Sequence, residues 1–144
     1  MVWYAQLTFQ RLLVLTVDKP ISDLRILVVE DEMMLVMLIE DMLSDLGCKS
    51  VAAAATVKQA LALIDEQVFD AAMLDVNLNG DKSFPVADAL ALRGVPFMFS
   101  SGYGVDGLTE GYRDRPMLKK PYDVRELVHA FSILVPGGAP MAVN

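Results

Sequence analysis

The chain has 144 residues and a net charge of −7, a length that gives room for one domain and one hydrophobic core. Hydrophobic residues make up 54% of it, which excludes a disordered polypeptide. A face that binds nucleic acid needs many Lys and Arg side chains, so the acidic balance argues against a nucleic-acid ligand. We therefore expect a globular domain without a separate DNA-binding domain.

Cysteine content and hydropathy indicate the compartment. The single cysteine, Cys48, cannot form an internal disulfide or a multi-cysteine metal site, as is typical of a reducing cytoplasm. Residues 12–17 form the longest apolar candidate near the N-terminus, far below the roughly 18 residues that a membrane span requires. They also lack the basic start and small-residue cleavage site of a signal peptide. We predict a soluble cytoplasmic protein without membrane insertion.

After the first twenty-odd residues, short apolar runs alternate five times with helical patterns. This alternation is typical of an α/β fold with a parallel sheet. The predicted strands cover residues 26–29, 50–54, 71–74, 96–100 and 117–119. We predict a doubly wound, five-stranded parallel sheet in a three-layer α/β/α sandwich.

The first and last helices are the clearest helical patterns. Apolar residues with a 3.6-residue period predict the buried stripe of the first helix. This stripe comprises Leu35, Leu38, Ile39, Met42, Leu43 and Leu46. Gly47 follows it as a C-cap. Asp123 and Glu126 cap the last helix, and its predicted stripe comprises Val124, Leu127, Val128, Phe131 and Leu134.

The middle helices have start signals of their own. Thr56 and Gln59 predict a capping box for the second helix. Ser83 is the predicted N-cap of the third helix, with Pro85 in its first turn. Residues 77–80 (NLNG) predict a turn. Four glycines between positions 102 and 115 predict that any fourth helix is short or frayed.

These patterns place one domain at residues 24–135, with a Gly- and Pro-containing tail at 136–144. Residues 1–23 form an apolar N-terminal extension of unknown structure. Three interpretations of the extension stay open: an added strand or helix, a dimer contact, or an over-long gene start.

Polar side chains follow four of the predicted strands, and the carboxyl ends of parallel strands meet at one edge of the sheet. Glu30 and Asp31 follow the first strand, Asp75 the third, Ser101 the fourth and Lys120 the fifth. Three converging carboxylates repel one another and are best stabilised by a hard cation with oxygen ligands, for which Mg²⁺ is the natural candidate. Asp75 could then act as a nucleophile and form an aspartyl phosphate.

Each of these residues alone also has an ordinary structural explanation. An acidic pair after a strand complements the dipole of the next helix, and Asp75 could cap a turn. Ser101 could be a loop hydroxyl, and Lys120 a solvated lysine. Their joint occurrence at strand ends on one edge favours a functional site.

Four motifs together resemble the receiver domain of two-component response regulators over residues 24–135. They are VVEDE (28–32), MLDVNLNG (73–80), FSSGYG (99–104) and KKPYD (119–123). The resemblance implies the flavodoxin-like fold of CheY-like proteins, with Asp75 as the phosphoacceptor. It also implies that Asp31, Asp75 and the backbone carbonyl of Asn77 ligate Mg²⁺, while Glu30 acts through water. Ser101 resembles the switch hydroxyl, and Lys120 the lysine that pairs with the phosphoryl group.

Within this family, PFMFSSGYG (96–104) resembles the FAT-GUY single-domain regulators of Alphaproteobacteria. Met117 stands where most receivers have an aromatic switch residue, in agreement with that subgroup. The resemblance implies a phosphoryl donor that is a histidine kinase or phosphotransfer protein, and a downstream protein target. It implies a phosphoacceptor rather than an enzyme, present as a monomer or weak dimer.

Two other functions share parts of this pattern. A pseudo-receiver would be a constitutive protein-binding module, but all the acceptor residues are present. A Mg²⁺-dependent phosphohydrolase with an aspartate nucleophile needs a general acid two residues after it, where Asn77 stands.

Overall fold

The structure, a computed structural model, describes residues 21–102, 108 and 110–135. Its strands in chain order are β1 (Arg25–Val29), β2 (Ser50–Ala54), β3 (Ala71–Asp75), β4 (Asn77–Leu78), β5 (Asp81–Lys82), β6 (Phe97–Ser101) and β7 (Met117–Lys119). Five of them form one parallel sheet in the order β2-β1-β3-β6-β7, and β4 pairs with β5 in an antiparallel hairpin. The predicted five-stranded parallel sheet is confirmed.

Four helices cover the two faces of the sheet. They are α1 (Met33–Asp45), α2 (Val57–Glu66), α3 (Phe84–Leu92) and α4 (Val124–Leu134), and a 3-10 helix spans Glu110–Tyr112. One hydrophobic cluster contains buried residues of α2 and α3, and the other contains buried residues of α1 and α4. The strand β3 is buried along its whole length because its side chains alternate between these two clusters. The predicted α/β/α sandwich is therefore confirmed.

The strand register determines which side chains meet at the carboxyl edge. Val29 is opposite Leu74, so the next residues on both strands, Glu30 and Asp75, leave the sheet at the same level. Asp75 is in turn opposite Ser100 of β6. On the far side of β6, Ser101 is opposite Lys119 of β7. This register brings together residues that are up to 90 positions apart in sequence.

The predicted helix caps are formed to different degrees. The Oδ1 atom of Asp123 accepts from the Glu126 amide at 2.9 Å, and Glu126 Oε1 accepts from the Asp123 amide at 3.0 Å. Thr56 Oγ1 accepts from the Gln59 amide at 3.1 Å, but Gln59 Oε1 accepts from Ala55 rather than from Thr56. The second predicted capping box is therefore only half formed.

Glycine and asparagine occupy positions where the backbone has a positive φ, the left-handed conformation. Gly47 ends α1 with a φ of +91°, as the sequence predicts. Asn79 and Gly80 have φ of 53° and 95°, which suits the tight turn of the β4–β5 hairpin. The sequence predicts this turn but not the short ladder around it. Ser83 occupies the predicted N-cap position of α3, although its side chain makes no capping hydrogen bond.

Two predicted core residues lie on the wrong face. Leu38 of α1 is 53% exposed and Val124 of α4 is 40% exposed, whereas both were predicted to be buried. Val36 is buried in the α1 interface instead, together with Ile39 and Leu43. The reason is that the sheet covers only a narrow face of α1, and Leu38 lies outside that face.

The Gly-rich stretch between β6 and β7 is described in part. Residues 103–107 and 109 fall outside the described residues, and Tyr103 of the FSSGYG motif is among them. The 3-10 helix Glu110–Tyr112 is the described part of the predicted short fourth helix. Among the helices of residues 21–102 and 110–135, none has the length and apolar character of a membrane span.

Candidate functional site

The carboxyl edge of the sheet holds a lysine between two buried carboxylates. Lys120, directly after β7, places its Nζ atom 2.8 Å from Glu30 Oε1 and 3.3 Å from Asp75 Oδ2. Glu30 is only 2% exposed and Asp75 is 9% exposed. Charge-assisted hydrogen bonds at these distances are strong when water is excluded. The lysine therefore holds the ends of β1, β3 and β7 together electrostatically.

Glu30 has both oxygens engaged within the protein. While Oε1 accepts from Lys120, Oε2 accepts from the Glu32 amide at 3.1 Å. Burial raises the pKa of Glu30 to about 7, although the hydrogen bonds from Lys120 and Glu32 act in the opposite direction. Burial alone would lower the pKa of Lys120, but its contacts with Glu30 and Asp75 outweigh that effect and raise it. The lysine is thus held in its charged form.

Three carboxylates converge beside this lysine. Glu30, Asp31 and Asp75 each place one oxygen within 4.8 Å of the others. An all-oxygen donor set of this size fits a hard divalent cation. The hydrogen bonds to Glu30 are short, 2.8 and 3.1 Å, whereas those to Asp75 are 3.3 and 3.4 Å long. Asp31 and Asp75 also line the crevice described below and Glu30 does not, so these two aspartates have the greater capacity for direct ligation. The predicted gathering of these carboxylates is therefore present in the structure.

A crevice of about 550 Å³ opens above the carboxylates. It is lined by Asp31, Glu32, Asp75, Val76, Asn77, Asn79, Lys82, Ser101, Gly102 and Lys120. The crevice thus contains every predicted site residue except Glu30, which contacts it through Lys120. Ser101 is 5% exposed and lies at the end of β6. A larger groove of about 970 Å³ between β7 and α4 shares no lining residue with this crevice, so volume alone does not identify the site.

The loop after β3 is shaped by short contacts around Asn77. The Asn77 amide donates to Asp75 Oδ1 at 3.4 Å, and Asn77 Oδ1 accepts from the Gly80 amide at 2.9 Å. The predicted role of Asn77 depends on its backbone carbonyl, which these contacts leave unengaged. Sequence reasoning missed two charged residues of the crevice wall, Glu32 and Lys82. Glu32 could have been predicted because it directly follows Glu30 and Asp31. Lys82 could not, because it reaches the crevice through the β4–β5 hairpin, which the sequence did not predict.

A cluster of aromatic side chains connects β6, which ends at Ser101, to the 3-10 helix. The ring of Tyr112 stacks on Phe84 and meets Phe99 edge-on, with centroids 5.5 Å away in both cases. The Tyr112 hydroxyl donates to Asp88 of α3. Met117, which replaces an aromatic residue, packs against the same cluster. Sequence reasoning missed Tyr112 because no local pattern links it to α3.

Comparison with known proteins identifies the family. The chain matches the response regulator receiver domain over residues 26–132, and it belongs to this family. The solution structure of SdrG from Sphingomonas melonis Fr1 is similar, with 44% identity and a TM-score of 0.70 over 77% of this chain and 95% of SdrG. SdrG has also been solved in a BeF3-activated conformation, with 43% identity and a TM-score of 0.70 over 79% of this chain and 98% of that one.

A more distant similarity agrees with this assignment. The receiver domain of the sensor histidine kinase PA1611 from Pseudomonas aeruginosa PAO1 is 25% identical, with a TM-score of 0.64 over 80% of this chain and 99% of that domain. Its structure has a magnesium ion coordinated in the active site cleft. No curated protein matches the chain. The resemblance to receiver domains is therefore confirmed, while the FAT-GUY subgroup stays a prediction with which the similarity to SdrG agrees.

Proposed function

We propose that this receiver domain accepts a phosphoryl group on Asp75 from a histidine kinase or a histidine phosphotransfer protein in a Mg²⁺-dependent reaction. It then passes the signal to a downstream protein by direct binding. The single observation that carries the proposal is the position of Asp75, which ends β3 in an open crevice between two carboxylates and a lysine. Membership of the receiver family supports the same role.

Asp75 supplies the nucleophile. One of its carboxylate oxygens attacks the phosphorus of the phosphohistidine, a P–O bond forms, and the P–N bond to the imidazole breaks. The departing imidazole takes up a proton as it leaves. No general base is required because the carboxylate is already the reactive form. Asp75 therefore needs orientation rather than activation, and the contacts from Asn77 and Lys120 support that orientation.

Asp31 and Asp75 would hold the Mg²⁺ ion together with the carbonyl of Asn77. When bound, the ion neutralises charge on the phosphoryl oxygens. Glu30 would act through water, since it does not line the crevice and its oxygens accept shorter hydrogen bonds, at 2.8 and 3.1 Å, than those of Asp75. The magnesium-bound receiver domain of PA1611 supports this assignment by similarity.

Lys120 and Ser101 would respond to the new charge. A phosphoryl group on Asp75 offers Lys120 additional anionic oxygens within reach of its present position, 3.3 Å from the carboxylate. Ser101 lines the same crevice, so its hydroxyl can donate to the phosphoryl group. A shift of Ser101 would be transmitted along β6 to Phe99 and hence to Tyr112. This route would couple phosphorylation to a change of the surface that the partner recognises.

The test is phosphorylation by a small acyl phosphate. The full chain is incubated with acetyl phosphate and Mg²⁺, and the mass gain of one phosphoryl group is measured by intact-protein mass spectrometry. We expect a label that is labile to base and hydroxylamine, is absent in EDTA, and disappears in Asp75→Asn. Asp81→Asn, an exposed aspartate in the adjacent hairpin, is the matched control and should keep the label.

Other results of the same experiment would support the two alternative functions. A wild-type protein that takes no label although it binds Mg²⁺ would contradict the proposal and indicate a constitutive binding module. Rapid turnover of unrelated phosphoesters without a stable label would indicate a phosphohydrolase. Retention of the label in Asp75→Asn would place the acceptor on another residue.

A further inference from the structure

The crevice above the carboxylates contains a second lysine that the proposed function does not use. Lys82 lies on β5 of the β4–β5 hairpin and lines the crevice together with Asp75 and Lys120. It is exposed, so its ammonium group is accessible to a ligand. A lone exposed lysine is ordinarily a solvated surface residue. Here, however, the backbone holds the lysine at the crevice.

The hairpin fixes the backbone of Lys82 beside the end of β3. Asn77, two residues after Asp75, pairs directly with Lys82 in the antiparallel ladder. Immediately after Lys82, the Ser83 amide donates to the Val76 carbonyl at 2.9 Å, so the chain is bound again next to Asp75. The position of Lys82 is therefore coupled to the position of Asp75.

The strand pairing also determines which way the side chain of Lys82 points. Side chains of directly opposed residues in an antiparallel pair lie on the same face of the ladder. Asn77 and Lys82 both line the crevice, whereas the next pair, Leu78 and Asp81, does not. Leu78 is 3% exposed and belongs to the hydrophobic core instead. The alternation of side chains along the hairpin thus directs Lys82 towards the crevice.

The two lysines of the crevice differ in their partners. Lys120 is held within the protein by Glu30 and Asp75, at 2.8 and 3.3 Å. Lys82 forms no ion pair with a carboxylate of residues 21–102, 108 and 110–135. Its positive charge is therefore available to an anion that enters the crevice.

A further positive charge is useful because the carboxylates of the crevice repel a phosphoryl donor. Asp31, Glu32 and Asp75 place three negative charges on its lining. The phosphoryl group of a donor itself carries about two negative charges at neutral pH. Two of the lining charges are offset when a divalent cation is bound, and Lys120 is already engaged. A cation on the hairpin lowers the repulsion that remains and attracts the donor.

We propose that Lys82 binds the phosphoryl group of the incoming donor and guides it to Asp75. Its ammonium group donates hydrogen bonds to phosphoryl oxygens, and no covalent bond to Lys82 forms. The inference rests on the proposed phosphoryl transfer to Asp75 and adds a residue that recognises the substrate of that reaction. Because the contact recruits the donor, loss of Lys82 slows the reaction without preventing it.

The test compares three variants with the wild-type full chain in phosphorylation by acetyl phosphate at saturating Mg²⁺. Intact-protein mass spectrometry follows the label, and the initial rate at several donor concentrations gives the second-order rate constant. Lys82→Gln should lower this constant about three- to tenfold, the effect of one partly screened contact with a dianion. Lys82→Arg keeps the charge and should stay close to the wild-type value. Lys49→Gln removes the same charge from an exposed residue before β2, at the opposite edge of the sheet, and should have no effect.

Two further measurements distinguish a loss of charge from a change in structure. In about 0.5 M KCl the difference between Lys82→Gln and the wild type should become much smaller, because salt screens exposed charges. Mg²⁺ binding is followed by NMR titration without a donor. It should be as tight in Lys82→Gln as in the wild type or tighter, since a cation has been removed from the crevice. A distorted hairpin would instead weaken Mg²⁺ binding, because Asn77 pairs with Lys82.

Several results would overturn the inference. If the wild-type chain is labelled and Lys82→Gln is labelled at the same rate, Lys82 does not bind the donor, although the proposed function stands. Equal slowing in Lys82→Gln and Lys49→Gln would show an effect of net charge alone. Weaker Mg²⁺ binding in Lys82→Gln, or slow labelling of Lys82→Arg, would show that the substitutions distort the hairpin. A wild-type chain that takes no label would overturn the proposed function and this inference with it.

Discussion

Lys120→Met tests the electrostatics of the carboxyl edge. The substitution keeps an unbranched side chain but removes the cation that lies 2.8 Å from Glu30 and 3.3 Å from Asp75. Removal of one partner of a buried ion pair costs about 3–5 kcal/mol of unfolding free energy. The side chain of Lys120 is still 19% exposed, so hydration of the remaining carboxylates brings the cost to the lower end of that range or slightly below it. We expect a loss of about 2–3 kcal/mol at pH 8.

The loss should depend on pH in a definite direction. Burial already raises the pKa of Glu30 to about 7, and without Lys120 the largest opposing contact is gone, so this pKa rises further. A carboxyl group whose pKa is higher in the folded than in the unfolded protein stabilises the fold at low pH. That stabilisation is lost as the pH rises through the folded value, at about 1.4 kcal/mol per unit. The penalty of Lys120→Met should therefore be smaller at pH 6 than at pH 8.

Urea unfolding in EDTA at both pH values measures this. Lys119→Met is the matched control because Lys119 is the preceding residue and is exposed. For a domain of this size, 1 kcal/mol corresponds to a change in Tm of about 3–5 °C. Equal stability of the two lysine variants, or a larger loss at pH 6, would refute the electrostatic interpretation.

Three further predictions concern contacts away from the crevice. Asp70→Asn should cost about 1 kcal/mol or less in urea unfolding at pH 7, because Arg25 holds the pKa of Asp70 below its usual value through a partly exposed contact. This difference should vanish as the pH falls through the pKa of Asp70, and a difference that persists at pH 2 would point to another cause. Burial raises the pKa of Cys48 to about 12, so alkylation by iodoacetamide at pH 8 should be far slower in the folded chain than in urea. Equal rates would show that the thiol is accessible. Tyr112 is only partly buried, so Tyr112→Ala should cost about 2–3 kcal/mol through lost ring contacts. Tyr112→Phe should cost about 1 kcal/mol or less because only the exposed hydroxyl contact with Asp88 is lost. Similar losses of unfolding free energy in the two variants would show that the ring contacts of Tyr112 contribute little.

Local sequence patterns were sufficient for the sheet and for most helix ends. An apolar run such as 26–29 is long enough for a buried strand and too short for a helix, so strand positions are predictable from local hydropathy. The capping box of Asp123 and Glu126 forms between neighbours in sequence, and it is present as predicted. Gly47 ends α1 because a left-handed residue is required there. Such features depend on contacts within a few residues.

Which face of each helix is buried was harder to predict from the sequence. The apolar residues of α1 occupy most of its circumference, so periodicity could not separate Val36, which is buried, from Leu38, which is exposed. The same applies to Val124, which begins α4 beyond the edge of the core. Which side of an apolar helix faces the sheet depends on how the helix docks, and docking is a property of the whole fold.

The sequence by itself determined the succession of strands and helices along the chain and the family to which the chain belongs. It also determined which acidic, serine and lysine residues follow the strands. Only the tertiary structure decided how those residues meet. The 2.8 Å contact between Lys120 and Glu30 joins positions 90 residues apart, and the packing of Tyr112 on Phe84 joins separate elements. The physical reason is that hydropathy and capping act over a few residues, whereas the partner of a buried charge or ring is set by strand register and helix docking.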